Sequence, residues 1–152
     1  MQDTVPYVVA QVVGAILASL IIGGVVVGTM GEGGLGGTGL GLNMMGEQIE
    51  PWKGLLMELV MTAALVFVIF GAAMDKRGLG NIAPLAVGFT VVIISLVAIP
   101  LTGASVNPAR SLAPALVGNA WAGHWIYWVG PLVGAGAMGY AYKFLFQNNS
   151  ND

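Results

Sequence analysis

The sequence predicts an all-α membrane protein with four spanning helices and one short helix that dips into the bilayer and returns. Composition is the first reason: 57% of the residues are hydrophobic, 8% are charged and the mean hydropathy is +0.84, whereas a soluble domain carries about 25% charged residues. The second is a set of four apolar stretches, each near the ~20 residues that a spanning helix requires. The third is residues 103–118, Gly-Ala-Ser-Val-Asn-Pro-Ala-Arg-Ser-Leu-Ala-Pro-Ala-Leu-Val-Gly, which set an Asn and an Arg between apolar spans. From Val106 to Val117 this stretch is about 12 residues, too short to cross. Irregular backbone at that depth survives only where protein or a water-filled cavity satisfies it, so a pore is the first expectation.

Taken in order, the first span runs over residues 5–28 and gives way to a glycine-rich connection reaching Gly41. Gly31 to Gly36 spells G-x-G-x-x-G, but a dinucleotide site needs a preceding strand, a following helix and an acidic residue ~20 positions on. A flexible loop fits better. The second span covers 53–74 and the third 82–101. Pro84 falls in the first turn of its helix, where no amide hydrogen bond is lost, and Pro100 is expected to end the same helix. The re-entrant half-helix follows at 107–118, and the fourth span covers 124–146 with Pro131 inside it, a kink that membrane helices tolerate.

Four crossings put both termini and the 75–81 connection on one side. That connection holds Lys76 and Arg77, and Lys143 ends the last span, whereas the long connection opposite holds Glu32, Glu47 and Glu50. By the positive-inside rule both termini are cytoplasmic. The half-helix then enters from outside. Trp52, Trp121, Trp125, Tyr127 and Trp128 fall near span ends, where an aromatic belt is expected. The opening Met-Gln-Asp-Thr-Val-Pro lacks the basic region of a secretory signal, so the insertion signal is expected to be a span that stays in the protein.

Several classes of chemistry are excluded early. The chain has no Cys, which removes disulfides and thiolate chemistry. A net charge of −2 gives no basis for nucleic-acid binding. His124, the single histidine, reads as an interfacial cap on the fourth span; with no partner ligands, no metal site or other cofactor is expected. Asn148-Asn149-Ser150 matches a glycosylation sequon but falls on the side assigned to the cytoplasm.

The polar residues inside the spans are few. Glu58 belongs to the second span; Gln11, Thr62, Thr90 and Ser95 are spread over the others. A charged side chain at the bilayer centre costs ~2.5–3.5 kcal/mol on insertion scales and faces a bundle interior. Glu58 is either an interfacial residue six positions after Trp52 or a buried carboxylate that accepts from amides of the dipping loop. Arg110 either reaches lipid headgroups or lines a cavity; its place directly after Asn107-Pro108-Ala109 favours the cavity. Gly14-x-x-x-Ala18 and Gly130-x-x-x-Gly134 are small-residue faces that let helices approach closely, most simply within the bundle.

Asn107-Pro108-Ala109-Arg110 resembles the second Asn-Pro-Ala signature of the aquaporins, or major intrinsic proteins. Val5-Pro6-Tyr7-Val8-Val9-Ala10-Gln11 resembles the start of that family's third helix, and Glu58 matches the carboxylate of its fourth. Ile99 to Val106 resembles the approach to the signature, and His124 to Pro131 is similar to the opening of the sixth helix. The resemblance implies an aquaporin-like right-handed helical bundle, here partial. Residues 1–152 would form a single transmembrane domain without counterparts of helices one and two or of the first Asn-Pro-Ala, and thus N-terminally incomplete.

The resemblance implies a channel for passive, proton-excluding permeation of water and not an enzyme. Asn107, Pro108 and Ala109 would open the half-helix at the pore, Arg110 would form the filter with Ser95 and Ala104, and Glu58 would hold the unwound stretch 103–106. Backbone carbonyls of that stretch would serve as acceptors for a file of water. Ser111, Ala115, Tyr127 and Trp128 match positions typical of the family's water-selective branch, whereas the glycerol branch has Asp where Ser111 stands. Ser95 and Ala104 take the places of a His and of a Cys or Thr, which widens the aperture. Glycerol, urea or ammonia therefore remain alternative permeants beside water. The implied setting is the lipid bilayer of the plasma or inner cell membrane, as a homo-tetramer.

Two other readings compete. One is a non-conducting remnant that assembles with a full-length relative, since one repeat cannot enclose the family's pore. The other is a piece of a secondary transporter, disfavoured because no acidic residue neighbours Asn107 in the sequence. An intramembrane enzyme is weaker still, since neither Ser95 nor Ser105 has a nearby His or Lys as base.

Overall fold

The computed structural model describes residues 4–27 and 40–147. The G-x-G-x-x-G stretch, Glu32 and the Asn148 sequon lie outside them. Every regular element among the described residues is helical. Helix α1 (Thr4–Ile22) continues into a π-helical turn (Gly23–Val27); α2 (Pro51–Ile69) does the same over Phe70–Met74. A 3₁₀ turn (Gly80–Ile82) leads into α3 (Ala83–Thr102), followed by the short α4 (Pro108–Gly118) and by α5 (Ile126–Tyr142), which ends in a third π turn, Lys143–Gln147.

Three stretches, Thr4–Val25, Pro51–Met74 and Gly80–Thr102, are long and apolar enough to cross a membrane. The fourth begins at Ile126, two residues later than its composition indicates, because His124 belongs to the preceding turn. Its 17 α-helical residues fall at the short end of the spanning range, and the π turn lengthens it. The chain is a helical membrane protein, and its surface agrees: Leu96 is 76% exposed, Phe89 60% and Leu132 60%, which suits lipid contact.

Helix ends follow from local chemistry, with one correction. Pro51 and Pro84 sit in first turns, where the missing N–H has no carbonyl to lose. Pro100 does not end α3. The helix runs on to Thr102 and stops at Gly103, whose φ of +80° is the left-handed cap conformation and whose N–H reaches Ile99 O at 3.0 Å. A proline in a last turn removes one amide but leaves the following residues free to stay helical, so the glycine is the stop. α5 likewise continues through Pro131.

Packing is built on glycine. Gly130 and Gly134 face α2 so closely that a Cβ at Gly134 would lie 2.3 Å from Leu59 O, and one at Gly130 would lie 2.8 Å from Glu58 Cβ. That small-residue face packs within the chain. The other does not: Gly14 has open space where its side chain would be, and α1 buries only Ser19, resting mainly on α4. α3 packs on the other side of α2, where Ile94, Ala98 and Ala104 form a small core with Met57, Met61, Leu65 and Val106. At the 75–79 turn, Arg77 donates to both oxygens of Asp75 (3.0 and 2.8 Å) and the Tyr142 hydroxyl donates at 2.8 Å, which ties the turn to the end of α5. The Arg77 hydrogen bonds hold the Asp75 carboxyl well below the usual carboxylate range.

Candidate functional site

The site is the junction between α3 and α4. After Gly103 the chain stays extended for only a few residues, and Ala104 (φ +52°) and Val106 (φ +45°) adopt the left-handed conformation. Such a backbone costs about 1–3 kcal/mol per non-glycine residue and persists only where the surroundings over-determine it. Glu58 of α2 supplies part of that constraint. It is 1% exposed; its Oε1 accepts from Ser105 N (3.0 Å) and Thr102 Oγ1 (2.6 Å), and its Oε2 accepts from Val106 N (2.8 Å). The alternating backbone turns these amides toward α2. Among the described residues, the carbonyls of Ala104, Ser105 and Val106 accept no hydrogen bond.

Asn107 caps α4. Its extended backbone (φ −156°, ψ 118°) lets Oδ1 accept from Ala109 N at 2.9 Å and Arg110 N at 3.4 Å, the usual use of an Asn at this position. Pro108 takes the first helical position, where no donor is needed. With Oδ1 engaged, the two Nδ2 hydrogens are left free of protein acceptors among the described residues. Arg110, one turn on, donates through Nη1 to Gly41 O at 2.7 Å and to Asn43 Oδ1.

Three cavities meet at this helix start. One of about 330 Å³ is lined by Ser95, Ile94, Ala104, Val106, Asn107 and Arg110. A second, about 310 Å³, lies on the α1 side against Gln11, Ser19, Asn107 and Arg110. The third, about 370 Å³, is bounded by Met44, Glu47, Gly103 and again Arg110. Among the described residues, Arg110 is the one side chain that borders all three. The start of α4 thus brings a cation, amide donors and carbonyls that are unbonded among the described residues to the neighbourhood of these cavities, an arrangement suited to holding small polar molecules.

The other residues singled out by sequence fall elsewhere. Ser111 and Ala115 are buried in α4, and Tyr127 is buried at 1% exposure, so none of the three lines these cavities. Tyr127 therefore does not belong to the aromatic belt, and its hydroxyl has no hydrogen-bond partner among the described residues. Trp128, one residue and about 100° further round the helix, is 39% exposed. The carbonyl of Gly103 is no free acceptor either, because Asn43 Nδ2 donates to it at 2.7 Å. Asn43 itself escaped the sequence reading. Its partners lie 60 to 68 residues away, and the only signal was a polar residue among Leu and Met just before α2.

His124 is not a helix cap: α5 starts without a side-chain cap, and His124 Nε2 instead accepts from Trp128 Nε1 at 3.1 Å. Burial pushes its imidazole below the usual value. The folded chain thus binds fewer protons than the unfolded one just below pH ~6.5, and this contribution to stability is present above that pH and lost as pH falls through it. As the single histidine, it gives an unambiguous NMR titration, whose midpoint is expected below the free-histidine value in the wild type and closer to it in Trp128→Phe.

Residues 1–142 match the family described as Major intrinsic protein. The chain is 43% identical over 148 residues to an Arabidopsis thaliana protein named "Probable aquaporin TIP3-2", covering 96% of this chain and 52% of that protein. It is 40% identical over 141 residues to aquaporin TIP4-4 of Zea mays (92% and 53%) and 46% identical over 100 residues to aquaporin TIP2-1 of Arabidopsis thaliana (64% and 40%). The chain thus spans about half the length of these relatives.

Proposed function

The chain belongs to the major intrinsic protein family, and from that premise we propose that it contributes the selective half of a membrane channel for water and small neutral solutes, without enzymatic activity. The observation that carries this proposal is the cavity of about 330 Å³ where Ser95, Ala104, Asn107 and Arg110 come together, beside three carbonyls that accept no hydrogen bond among the described residues. The N-terminus of α4 carries roughly half an elementary positive charge from its aligned peptides. With the Asn107 Nδ2 donors at the same point, it orients a passing water by its oxygen, which opposes relay of a proton along the file, and the positive potential opposes cations. Arg110 adds a full charge and further donors at the cavity wall, and the carbonyls of 104–106 take the hydrogens of the water file. Glu58 holds those carbonyls in line by occupying the amides behind them.

Both termini are assigned to the cytoplasmic side of a cell membrane by the placement of Lys76, Arg77 and Lys143. A homo-tetramer is the assembly proposed from family membership. Cavities open on the α1 and α3 sides need a further polypeptide to close a pore, so the second reading is a partner that works only alongside a longer relative. Stopped-flow light scattering of proteoliposomes under an osmotic gradient tests both. Faster shrinkage than empty liposomes supports a channel formed by this chain; no acceleration alone, with acceleration on adding a full-length relative, supports the second. Arg110→Ala is expected to raise urea and glycerol flux relative to water severalfold, and an unchanged ratio removes Arg110 from the filter.

A further inference from the structure

We propose that Met45 is an oxidation site: a small peroxide entering the cavity beside it converts the thioether to a sulfoxide and shifts the loop before α2 against that helix. Met44 and Met45 both line the cavity of about 370 Å³ that Arg110 also borders. Hydrogen peroxide is small, neutral and built of two hydroxyls, so its oxygens can accept from a guanidinium while the two thioethers offer it a reducing wall. In the reaction a sulfur lone pair attacks one peroxide oxygen and the O–O bond breaks. The departing hydroxide takes the proton from the transferred oxygen and leaves as water. Methionine loses two electrons and the peroxide gains them, so no further reactant is needed.

The two sulfurs differ in what surrounds them. Met44 is 52% exposed, so its sulfoxide can project into open space. Met45 is partly buried and wedged: a Cβ at Gly54 would lie 3.0 Å from its Sδ, and one at Gly123 would lie 2.9 Å from its Cε. The thioether fills the space that two glycines leave, one in the first turn of α2 and the other in the turn before α5. A sulfoxide is polar and chiral where the thioether was apolar and adaptable, and neither glycine side has room for the added oxygen. The loop must therefore move, and it is stitched to its surroundings, since Gly46 N donates to Leu101 O at 3.0 Å. Gly54 stands one turn before Glu58 on α2, and a Cβ there would also lie 3.7 Å from Thr102 Cγ2. Strain at Met45 thus reaches the helix turn that carries the Glu58 carboxyl. Met57 and Met61, by contrast, pack against the cluster of Ile94, Ala98 and Ala104 and do not line this cavity.

The test treats the full chain in bilayers with hydrogen peroxide and maps sulfoxides by peptide mass spectrometry, with fragmentation between Met44 and Met45. Sulfoxide at Met45 should form about tenfold faster than at Met57 or Met61, because susceptibility follows access; equal rates overturn the proposal. Oxidation should lower the unfolding temperature of the wild type and of Met44→Leu by several degrees. Met45→Leu, a nearly volume-conserving exchange, should keep its untreated value. A wild type whose unfolding temperature stays constant with Met45 fully oxidised overturns the proposal, as does a fall that persists in Met45→Leu. The consequence for flux rests on the channel reading above: oxidation should lower water flux severalfold in the wild type and leave Met45→Leu unchanged. A loss of flux common to both overturns the link from Met45 to the passage. A wild type that passes no water before treatment overturns the channel reading alone, and the mass and unfolding results still decide for Met45.

Discussion

Glu58→Ala is expected to cost about 3–5 kcal/mol of stability and to abolish water flux, more than any other single truncation at this site. The carboxyl receives three donors, Thr102 Oγ1, Ser105 N and Val106 N, all in a region shielded from solvent. Removing it leaves the two amides without a partner, at about 1–3 kcal/mol per buried group before relaxation, and leaves Thr102 Oγ1 only its longer bond to Ala98 O (3.4 Å). Two of those amides belong to a stretch whose left-handed residues, Ala104 and Val106, are not self-supporting. Without the acceptor the stretch relaxes, its carbonyls turn away from the cavity, and Asn107 loses the fixed backbone from which it caps α4. Glu58→Gln is not conservative here: one Gln oxygen can satisfy one side, but the NH₂ then faces another donor. Its expected effect is intermediate in both thermal unfolding and flux. A Gln variant with wild-type unfolding temperature and flux would mean that the two oxygens are not both needed, and the role assigned to Glu58 would fail.

The parts of this architecture that could be read from the chain are those governed by local rules. Prolines and glycines at helix ends, apolar run length and the brevity of the 107–118 helix each act within a few residues. They gave starts within two residues of those of α1 to α4, whereas α1 and α2 end earlier than expected and run on as π-helical turns. Pro100 misled because a proline is a reliable stop only where the next residues also lack a reason to stay helical; here Leu101 and Thr102 remain in the helix, and Gly103 with its positive φ provides the end. Tyr127 falls outside the expected aromatic belt because adjacent residues on a helix face directions about 100° apart. Tyr127 is buried, whereas Trp128 meets His124 at the surface. Asn43 was illegible because nothing local distinguishes it. Its contacts with Gly103, Arg110 and Ser111 exist only after the loop has folded back over the start of α4.

Gly134→Ala should be destabilising by about 2–3 kcal/mol or more, the range for forcing extra volume into a packed contact, while Gly136→Ala on the same helix should be neutral or mildly stabilising. The contrast separates packing from helix propensity, because both substitutions make the same gain of up to about 1 kcal/mol from replacing a helical glycine. At Gly134 the new methyl would sit 2.3 Å from Leu59 O and 3.1 Å from Leu59 C, backbone atoms that no rotamer change can move, whereas at Gly136 nothing lies within 4 Å. α2 and α5 must separate to admit the methyl. Leu59 follows Glu58 directly, so the same displacement draws the carboxyl away from Ser105 and Val106. Gly134→Ala is therefore expected to lose flux out of proportion to its loss of folded protein, with thermal unfolding and proteoliposome shrinkage measured on the same preparation. If Gly134→Ala and Gly136→Ala unfold at the same temperature, the close approach of α2 and α5 is not what holds the bundle together. If Gly134→Ala is destabilised but conducts normally once folded, the position of Glu58 does not depend on that approach, and the coupling between helix packing and the passage is lost.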